Sequence, residues 1–287
     1  MIAKVLMFLL ALMPFTGYVH AGFWDYFFAN EALPEPKRIK VLIVHDKPGV
    51  VLEVKGKYAL YDPNITRKSK YKHISSRFLG KRKFIQAVSD GIRWGEEFPG
   101  IFQLLIVPEE ESTKTVVDGV SYKGSLYVYN IAETGSISIV NELLLDDYLD
   151  SVLSNHYQEG LSEEAAAAIA IAARTNALYY AENPKSPFWS VDATEVGYVG
   201  NSIVRTTNPI VEAVLATKQM VMSKNNDAQN VPTSFPAAFA LLPGQSKSDA
   251  KLALISLKEV ENLAQKGDHA AEILKRAFPG TSIQLTD

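Results

Sequence analysis

The stretch that decides the fold is an alanine-rich run at residues 162–184, which reads SEEAAAAIAIAARTNALYYAENP. Alanine has the highest helix propensity, and a serine followed by two glutamates is a typical helix start because the helix dipole favours negative charge in the first turn. We predict a helix from Ala165 to Tyr180, capped by Ser162 and ended by Asn183-Pro184. Arg174 is its one charged residue. Because such small side chains allow close approach of other elements, this helix is predicted to be buried at the centre of the fold.

Further helix signals lie on both sides of this run. Residues 141–153 carry apolar side chains at the i, i+3, i+4, i+7 spacing of one helical face, which predicts a helix directly before it. Near the C-terminus, Ser256 and Glu259 have the spacing of a capping box and predict a short helix that ends near Gly267. A second short helix is predicted for residues 268–279.

The chain before residue 140 has the short apolar runs of β-strands, and these runs cover residues 39–45, 50–54, 58–61, 101–107, 126–131 and 137–140. Two more runs flank Asp118-Gly119, a dipeptide that favours the type I′ turn of a β-hairpin. The predicted fold class is therefore α+β. An antiparallel β-rich region at 39–140 is followed, at 141–287, by a helical core with the alanine-rich buried helix and a C-terminal helical tail.

The first 21 residues have the features of a signal peptide. Lys4 precedes an apolar run from Val5 to Met13, which is shorter than the roughly 20 residues that span a bilayer. Val19 and Ala21 are small residues at the −3 and −1 positions of a cleavage site. We therefore predict export to the periplasm or cell envelope after cleavage at Ala21, with residues 22–38 as a linker. Retention of the apolar segment as a membrane anchor is the alternative, because aromatic residues follow it.

Composition excludes several function classes. The chain has no cysteine, which rules out a disulfide framework, an iron–sulfur cluster, a thiolate zinc site and a cysteine nucleophile. Its five histidines lack the spacing of paired helical metal ligands, so neither a metal nor another cofactor is predicted. With 29 basic and 32 acidic residues the net charge is −3, which argues against nucleic acid as a partner.

Three segments in register resemble the core of a known family. They read VNELLLDDYL at 140–149, EA at 164–165 and AIAARTNAL at 170–178. The corresponding pattern of the stage II sporulation protein D family, which includes the amidase enhancers, is VNELPLEDYL, EA and AVAARTYAL. Residues 264–283 are also similar to the family's closing pattern. Members are exported bacterial proteins that cut or help to remodel peptidoglycan, and the best characterised are lytic transglycosylases.

The resemblance also implies where the site lies and how it has changed. The family's acid is the Glu of a PSEM motif, and the aligned residue of this chain is His156. The family's GHGVGMSQ motif is replaced at residues 250–257. The implied function is to bind peptidoglycan glycan strands or to assist cell-wall remodelling or division, with reduced or no catalysis. A cell-wall amidase or another remodelling enzyme is the implied protein partner.

Five residues are candidate site residues under this resemblance. His156 occupies the acid position, and Glu159, three residues further on, is the alternative acid. Tyr148 and Tyr198 offer aromatic faces to sugar rings, and Arg174 is either a groove residue or a structural ion-pair partner. Two alternatives stay open: an active lytic transglycosylase with a substitute acid, and a structural envelope protein.

Two locally basic segments, residues 67–72 and 81–83, have two interpretations. They contact anionic glycan or membrane, or they are exposed loops that keep the protein soluble. The local sequence does not distinguish the two.

Overall fold

The computed structural model of the chain describes residues 36–67, 70–157, 161–201, 208–225, 232–237, 239–240 and 251–286. The predicted signal peptide, most of the predicted linker and the candidate acid Glu159 lie outside these residues. Within them, strands occupy the first half of the chain and helices dominate the second. The predicted α+β class is confirmed. Among the described helices, none is both long and apolar enough to cross a bilayer.

Twelve described strands precede the first described helix. They are β1 (Arg38–Lys47), β2 (Gly49–Lys55), β3 (Tyr58–Arg67), β4 (Lys70–Arg77), β5 (Lys81–Val88), β6 (Gly91–Trp94), β7 (Glu96–Pro99), β8 (Gln103–Pro108), β9 (Lys114–Val117), β10 (Val120–Tyr122), β11 (Ser125–Ile131) and β12 (Ser136–Leu144).

The second half of the chain contains the helices and the shorter strands. In order, its elements are α1 (Leu145–His156), α2 (Glu163–Glu182), β13 (Val191–Asp192), α3 (Ala193–Val196), α4 (Pro209–Ala216), β14 (Met220–Asn225), β15 (Pro232–Thr233), β16 (Phe239–Ala240), β17 (Lys251–Leu252), β18 (Ile255–Ser256), α5 (Leu257–Gln265), α6 (Ala270–Ala277) and β19 (Thr281–Leu285).

Two large sheets share one apolar core. The first has the strand order β13-β1-β12-β11-β8-β3-β4, and the second has the order β10-β9-β2-β5-β6-β7. Described neighbours in both sheets are antiparallel except β13, which runs parallel to β1. Side chains from both sheets meet in this core, among them the fully buried Leu52, Ile85, Trp94, Leu104 and Ile137. The first helices pack against one end of this sandwich, where they contact Ile39, Val41 and Leu143.

Helix α2 lies between two further apolar clusters. Ile169 and Ala173 pack in a cluster with α1, α4 and the end of the seven-stranded sheet. Ala168 and Ala172 pack in another cluster with β14, α5 and α6. Because small side chains cover both faces, neighbouring elements approach the helix closely on either side. The predicted central buried helix is confirmed.

Two predictions about these helices need correction. Asn141–Leu144 belong to strand β12 and not to a helix, because all four residues pair with β1, and the first two also pair with β11. The helix therefore begins at Leu145. Ser162 occupies the N-cap position of α2, but its side chain makes no capping hydrogen bond.

The interpretation of the basic segments as loops is also wrong. Residues 70–72 lie in strand β4 and residues 81–83 lie in strand β5. Strand β4 pairs with β3, and β5 pairs with β2, over most of their length. Strand β4 is at the edge of its sheet, whereas β5 lies between β2 and β6. The side chains of Lys70, Lys72, Arg82 and Lys83 are exposed to solvent.

Candidate functional site

A cleft of about 530 Å³ opens between α1, α2 and the segment around α3. The polar residues of its lining are His156, Asn176, Tyr180, Lys185, Thr194 and Glu195. The other lining residues are Tyr148, Leu149, Val152, Ala173, Ala177, Val191 and Val196. A concave, largely apolar surface with a few polar groups is the usual form of a ligand-binding site.

His156 ends helix α1 and lines the cleft. Its half-buried imidazole packs against Gly197, whose φ of 69° is in the left-handed region. A Cβ atom at residue 197 would lie 2.7 Å from Nε2 of His156, so both the backbone and the contact favour glycine. Burial lowers the pKa of His156, and a hydrogen bond to the Val196 backbone opposes this shift only in part. Burial thus favours the neutral form of the imidazole.

Lys185 and Glu195 form an ion pair in the cleft lining. Nζ of Lys185 donates to Oε2 of Glu195 at 2.6 Å, and the hydrogen bond raises the pKa of Lys185. Both side chains are more than half exposed, so the pair contributes little to the stability of the fold. Its two charges are accessible to charged groups of a ligand.

Tyr148 and Tyr198, the two predicted sugar-stacking residues, stack on each other. Their ring centroids are 5.9 Å apart and both residues are buried. Tyr148 lines the cleft, whereas Tyr198 lies outside the lining. The Tyr198 hydroxyl donates a 2.6 Å hydrogen bond to Oδ1 of Asn141. Tyr148 is thus part of the cleft wall, and Tyr198 belongs to the packing that supports it.

Arg174 lies outside the cleft lining and is only 2% exposed. Its Nε and Nη2 donate to Oδ1 of Asp146 at 3.3 and 3.2 Å. Nη2 also donates to the carbonyl of Val214 at 2.8 Å, and Nη1 donates to the carbonyl of Thr217 at 2.7 Å. These contacts join α2 to α1 and to the C-terminal end of α4. They favour the structural ion-pair interpretation of Arg174.

The acidic residues of α1 lie outside the cleft lining. Asp146 accepts from Arg174, and Asp147 accepts from Nζ of Lys123 at 2.6 Å. Asp150 has a buried carboxylate oxygen without a hydrogen-bond partner. Burial is the main reason that its pKa is raised to about 6, and the charges of Asp147 and Asp146 add to the shift. Across the described part of the chain, no three His, Asp or Glu side chains are grouped to hold a metal ion.

No sequence motif predicts five of the polar cleft residues, Asn176, Tyr180, Lys185, Thr194 and Glu195. Asn176 and Tyr180 are four residues apart on α2, so their shared helical face is a signal that the sequence does contain. Lys185 and Glu195 come from different segments and meet only in the folded chain. The structure brings His156 and Tyr148 to the same cleft, and it places Arg174 and Tyr198 outside the lining.

The family comparison covers the segment that forms this cleft. A family model described as SpoIID, stage II sporulation protein, matches residues 133–223. All of the cleft-lining residues fall within this range.

The chain is also similar to bacterial proteins along much of its length. An uncharacterized protein of Chlamydia pneumoniae is 34% identical over 225 residues, which cover 77% of this chain and 79% of the relative. An uncharacterized protein of Chlamydia muridarum is 37% identical over 198 residues, covering 68% of this chain and 65% of the relative. An uncharacterized protein of Brachyspira hyodysenteriae is 28% identical over 197 residues, covering 67% of this chain and 49% of the relative. With the family match across the cleft and similarity of this extent, the chain belongs to the stage II sporulation protein D (SpoIID) family.

Proposed function

We propose that this chain is an exported, peptidoglycan-associated protein whose cleft holds a glycan strand, and that it assists cell-wall remodelling or division with little or no cleavage. Membership of the SpoIID family supports a peptidoglycan-related role in general. The open cleft, with six polar residues in its lining, supports binding over a purely structural envelope role. In a purely structural scaffold we would expect apolar side chains to fill this groove.

The observation that carries the proposal is the half-buried His156 in the cleft, whose pKa is lowered by burial. Lytic cleavage needs a group that protonates the glycosidic oxygen and then accepts a proton from the sugar hydroxyl. A neutral imidazole has no readily released proton, and an imidazolium would place positive charge beside an oxocarbenium-like transition state. Glu195, the carboxylate in the described cleft lining, is engaged by Lys185. Loss of a positioned general acid lowers a rate by about 10²–10⁴-fold.

The remaining cleft groups fit an amino-sugar polymer. Asn176 and Thr194 supply amide and hydroxyl groups for sugar hydroxyl and acetamido groups. Tyr180 supplies a half-buried aromatic ring, which offers a face to the C–H surface of a pyranose. Lys185 supplies a positive charge for the carboxylates of muramic acid and of the stem peptide. These are binding contacts, and none of them requires bond cleavage.

Binding is tested by sedimentation of the purified protein with isolated sacculi. We expect wild-type protein to sediment weakly with them, and Tyr180→Ala to reduce the bound fraction because the cleft loses its aromatic wall. Tyr179→Ala is the matched control, since Tyr179 is the adjacent, half-buried tyrosine outside the cleft lining. Equal binding by the two variants would contradict the assignment of the cleft as the glycan site.

Cleavage is tested by analysing the same reactions for anhydro-ended muropeptides. We expect none above background from the wild type, and release of these products would overturn the proposal of reduced catalysis. His156→Glu places a carboxyl group back in the cleft. Cleavage by this variant would show that His156 alone blocks the reaction, and continued inactivity would locate the defect in the other replaced motifs as well.

The active transglycosylase remains the alternative, with His156 or Glu159 as the acid. Glu159 lies outside the described residues, so its test is chemical. If Glu159 is the acid, Glu159→Gln abolishes cleavage and His156→Ala leaves most of it in place. If His156 is the acid, the two variants have the opposite effects.

Export and partnership are tested separately from the cleft. Mass analysis of the mature N-terminus is expected to show cleavage after Ala21, and a chain in the membrane fraction that still begins at Met1 would favour the anchored form.

For the protein partner, we expect the purified chain to change the activity of a cell-wall amidase on sacculi. An amidase whose rate is the same with and without the chain would contradict this part of the proposal.

A further inference from the structure

Two adjacent apolar side chains are largely exposed at the turn between β4 and β5, and Nζ of Lys57 lies 5.3 Å from the ring centroid of the first, Phe78. Phe78 is 72% exposed and Leu79 is 84% exposed. Gly80 completes this turn, which we name the β4–β5 tip (residues 78–80). A Cβ atom at Gly80 would lie 2.8 Å from the carbonyl oxygen of Val54, so the turn backbone rests closely on the end of β2. The tip therefore exposes two large apolar side chains to water, while its backbone is in close contact with the end of β2.

The strands on both sides of the tip are strongly basic. Residues 70–89 contain six of the chain's 29 basic residues and none of its 32 acidic residues. Arg77 and Lys81, which flank the tip, share Glu96 as an ion-pair partner. The exposed Arg82 side chain lies 3.9 Å from Glu53. The basic residues Lys70, Lys72 and Lys83 are also exposed. A chain with a net charge of −3 thus carries basic side chains along both strands that meet at the exposed Phe78 and Leu79.

We propose that the β4–β5 tip inserts into the surface of an anionic phospholipid bilayer. Phe78 and Leu79 would enter the boundary between headgroups and acyl chains, where transfer of apolar side chains out of water is favourable. The lysine and arginine side chains of β4 and β5 would contact lipid phosphates. Anionic glycan would attract the same cations but offers no apolar phase for the two side chains. The combination of an apolar tip and flanking cations therefore favours lipid.

The first test places a reporter at the tip. Because the chain has no cysteine, Leu79→Cys can be labelled uniquely with an environment-sensitive fluorophore. We expect a blue shift on addition of phosphatidylglycerol-containing vesicles, quenching by a spin-labelled lipid, and a much smaller response to pure phosphatidylcholine vesicles. Leu215→Cys is the matched control, since Leu215 is 73% exposed on α4. A label at position 79 that does not respond to anionic vesicles, or that responds no more than one at 215, would overturn the proposal.

The second test measures partitioning into the same vesicles. The double variant Phe78→Ser, Leu79→Ser is expected to bind at least about tenfold more weakly, because two large side chains no longer leave water. Arg82→Gln with Lys83→Gln is expected to weaken binding by about fivefold per charge at low salt and less at high salt. Leu215→Ser is expected to bind like the wild type. All of these variants share the same N-terminal apolar segment, so differences between them report on the tip.

The outcome expected for a glycan-binding surface is distinct. In that case the charge variants lose binding to sacculi, while the serine variants at the tip bind vesicles and sacculi like the wild type. That result would overturn the lipid assignment.

Discussion

The hydroxyl of Tyr198 donates a 2.6 Å hydrogen bond to Oδ1 of Asn141. Asn141 is fully buried in β12, and its side-chain nitrogen donates to the carbonyls of Lys123 and Ser125 at 2.8 and 3.1 Å. The amide group is thus held on both its oxygen and its nitrogen. Because Tyr198 follows Gly197, which packs on His156, this contact ties the wall of the cleft to the seven-stranded sheet.

We expect Tyr198→Phe to lower the free energy of unfolding by about 1–3 kcal/mol, because Oδ1 of Asn141 would be buried without a donor. Denaturant unfolding measures this change. Tyr179→Phe is the control, since Tyr179 is partly exposed on α2. Equal stability of the Tyr198 and Tyr179 variants would mean that the buried bond contributes nothing.

We expect Arg174→Gln to destabilise the protein by about 3–5 kcal/mol, because it removes an almost fully buried cation that joins three helices. Asp146→Asn is expected to destabilise less, since the Asp146 side chain is 40% exposed and water can replace part of the interaction. Thermal or denaturant unfolding of both variants gives the order, with the exposed Lys218→Gln as a neutral reference. The reverse order would refute a structural role for Arg174.

We expect Ala172→Leu to cost about 1–3 kcal/mol of stability by overpacking the contact of α2 with β14, α5 and α6. Ala172 is fully buried, whereas Ala167 on the same helix is partly exposed. Ala167→Leu should therefore cost much less. Unchanged unfolding of the Ala172 variant would show that this face of the helix is not tightly packed.

Asp150 predicts a pH dependence of stability. Burial raises its pKa to about 6 in the folded chain, against about 3.9 in an unfolded chain. The contribution of Asp150 to the free energy of unfolding is therefore highest below about pH 3.9, where this residue is protonated in both states. It falls as the pH rises through about 6, because the buried carboxyl must then ionise in the folded chain. We expect Asp150→Asn to be more stable than the wild type by about 1–2 kcal/mol at pH 7.5, a value reduced because the carboxyl is partly solvated. The difference should vanish near pH 4.

Unfolding measured from pH 4 to pH 8 checks the Asp150 prediction. Asp147→Asn serves as the control, because Asp147 is paired with Lys123 and should show no gain at pH 7.5. A wild-type stability profile that Asp150→Asn leaves unchanged would contradict the prediction.

The contact of Gly197 with His156 predicts a coupling between the two positions. Gly197→Ala is expected to destabilise the protein for two reasons: a left-handed alanine costs about 1–2 kcal/mol, and the new Cβ displaces the imidazole. In the His156→Ala background only the first cost remains. A double-mutant cycle measures the difference, and additive effects would show that the imidazole does not restrict residue 197.

Local sequence patterns correctly predicted several structural features. Asp118 and Gly119 have φ angles of 46° and 87°, and Val117 pairs with Val120, so the predicted hairpin turn is confirmed. Oγ of Ser256 accepts from the backbone N–H of Glu259 at 3.2 Å, as the capping spacing predicts. These features depend on residues a few positions apart, which is the range over which a sequence pattern carries its own structural information.

In two other segments, pairing with strands that are distant in the sequence determined the structure against the local sequence pattern. Asn141–Leu144 continue a helical apolar spacing, yet β1 pairs with all four residues and β11 pairs with the first two, so β12 extends through them. The basic residues 81–83 look like a loop, yet β5 pairs there with β2, whose partner residues are about 30 positions earlier. A propensity of a few tenths of a kcal/mol per residue does not outweigh a full set of sheet hydrogen bonds.

For the site, the sequence by itself determined the family and the central alanine-rich helix, and it predicts that His156 occupies the position of the family's acid. Only the tertiary structure decided that His156 is half-buried with a lowered pKa, that Arg174 and Tyr198 are outside the cleft lining, and that Lys185 meets Glu195 within it. The physical reason is that charge state and accessibility depend on which groups surround a side chain. Those groups come from segments that are distant in the chain, and only folding sets their distances.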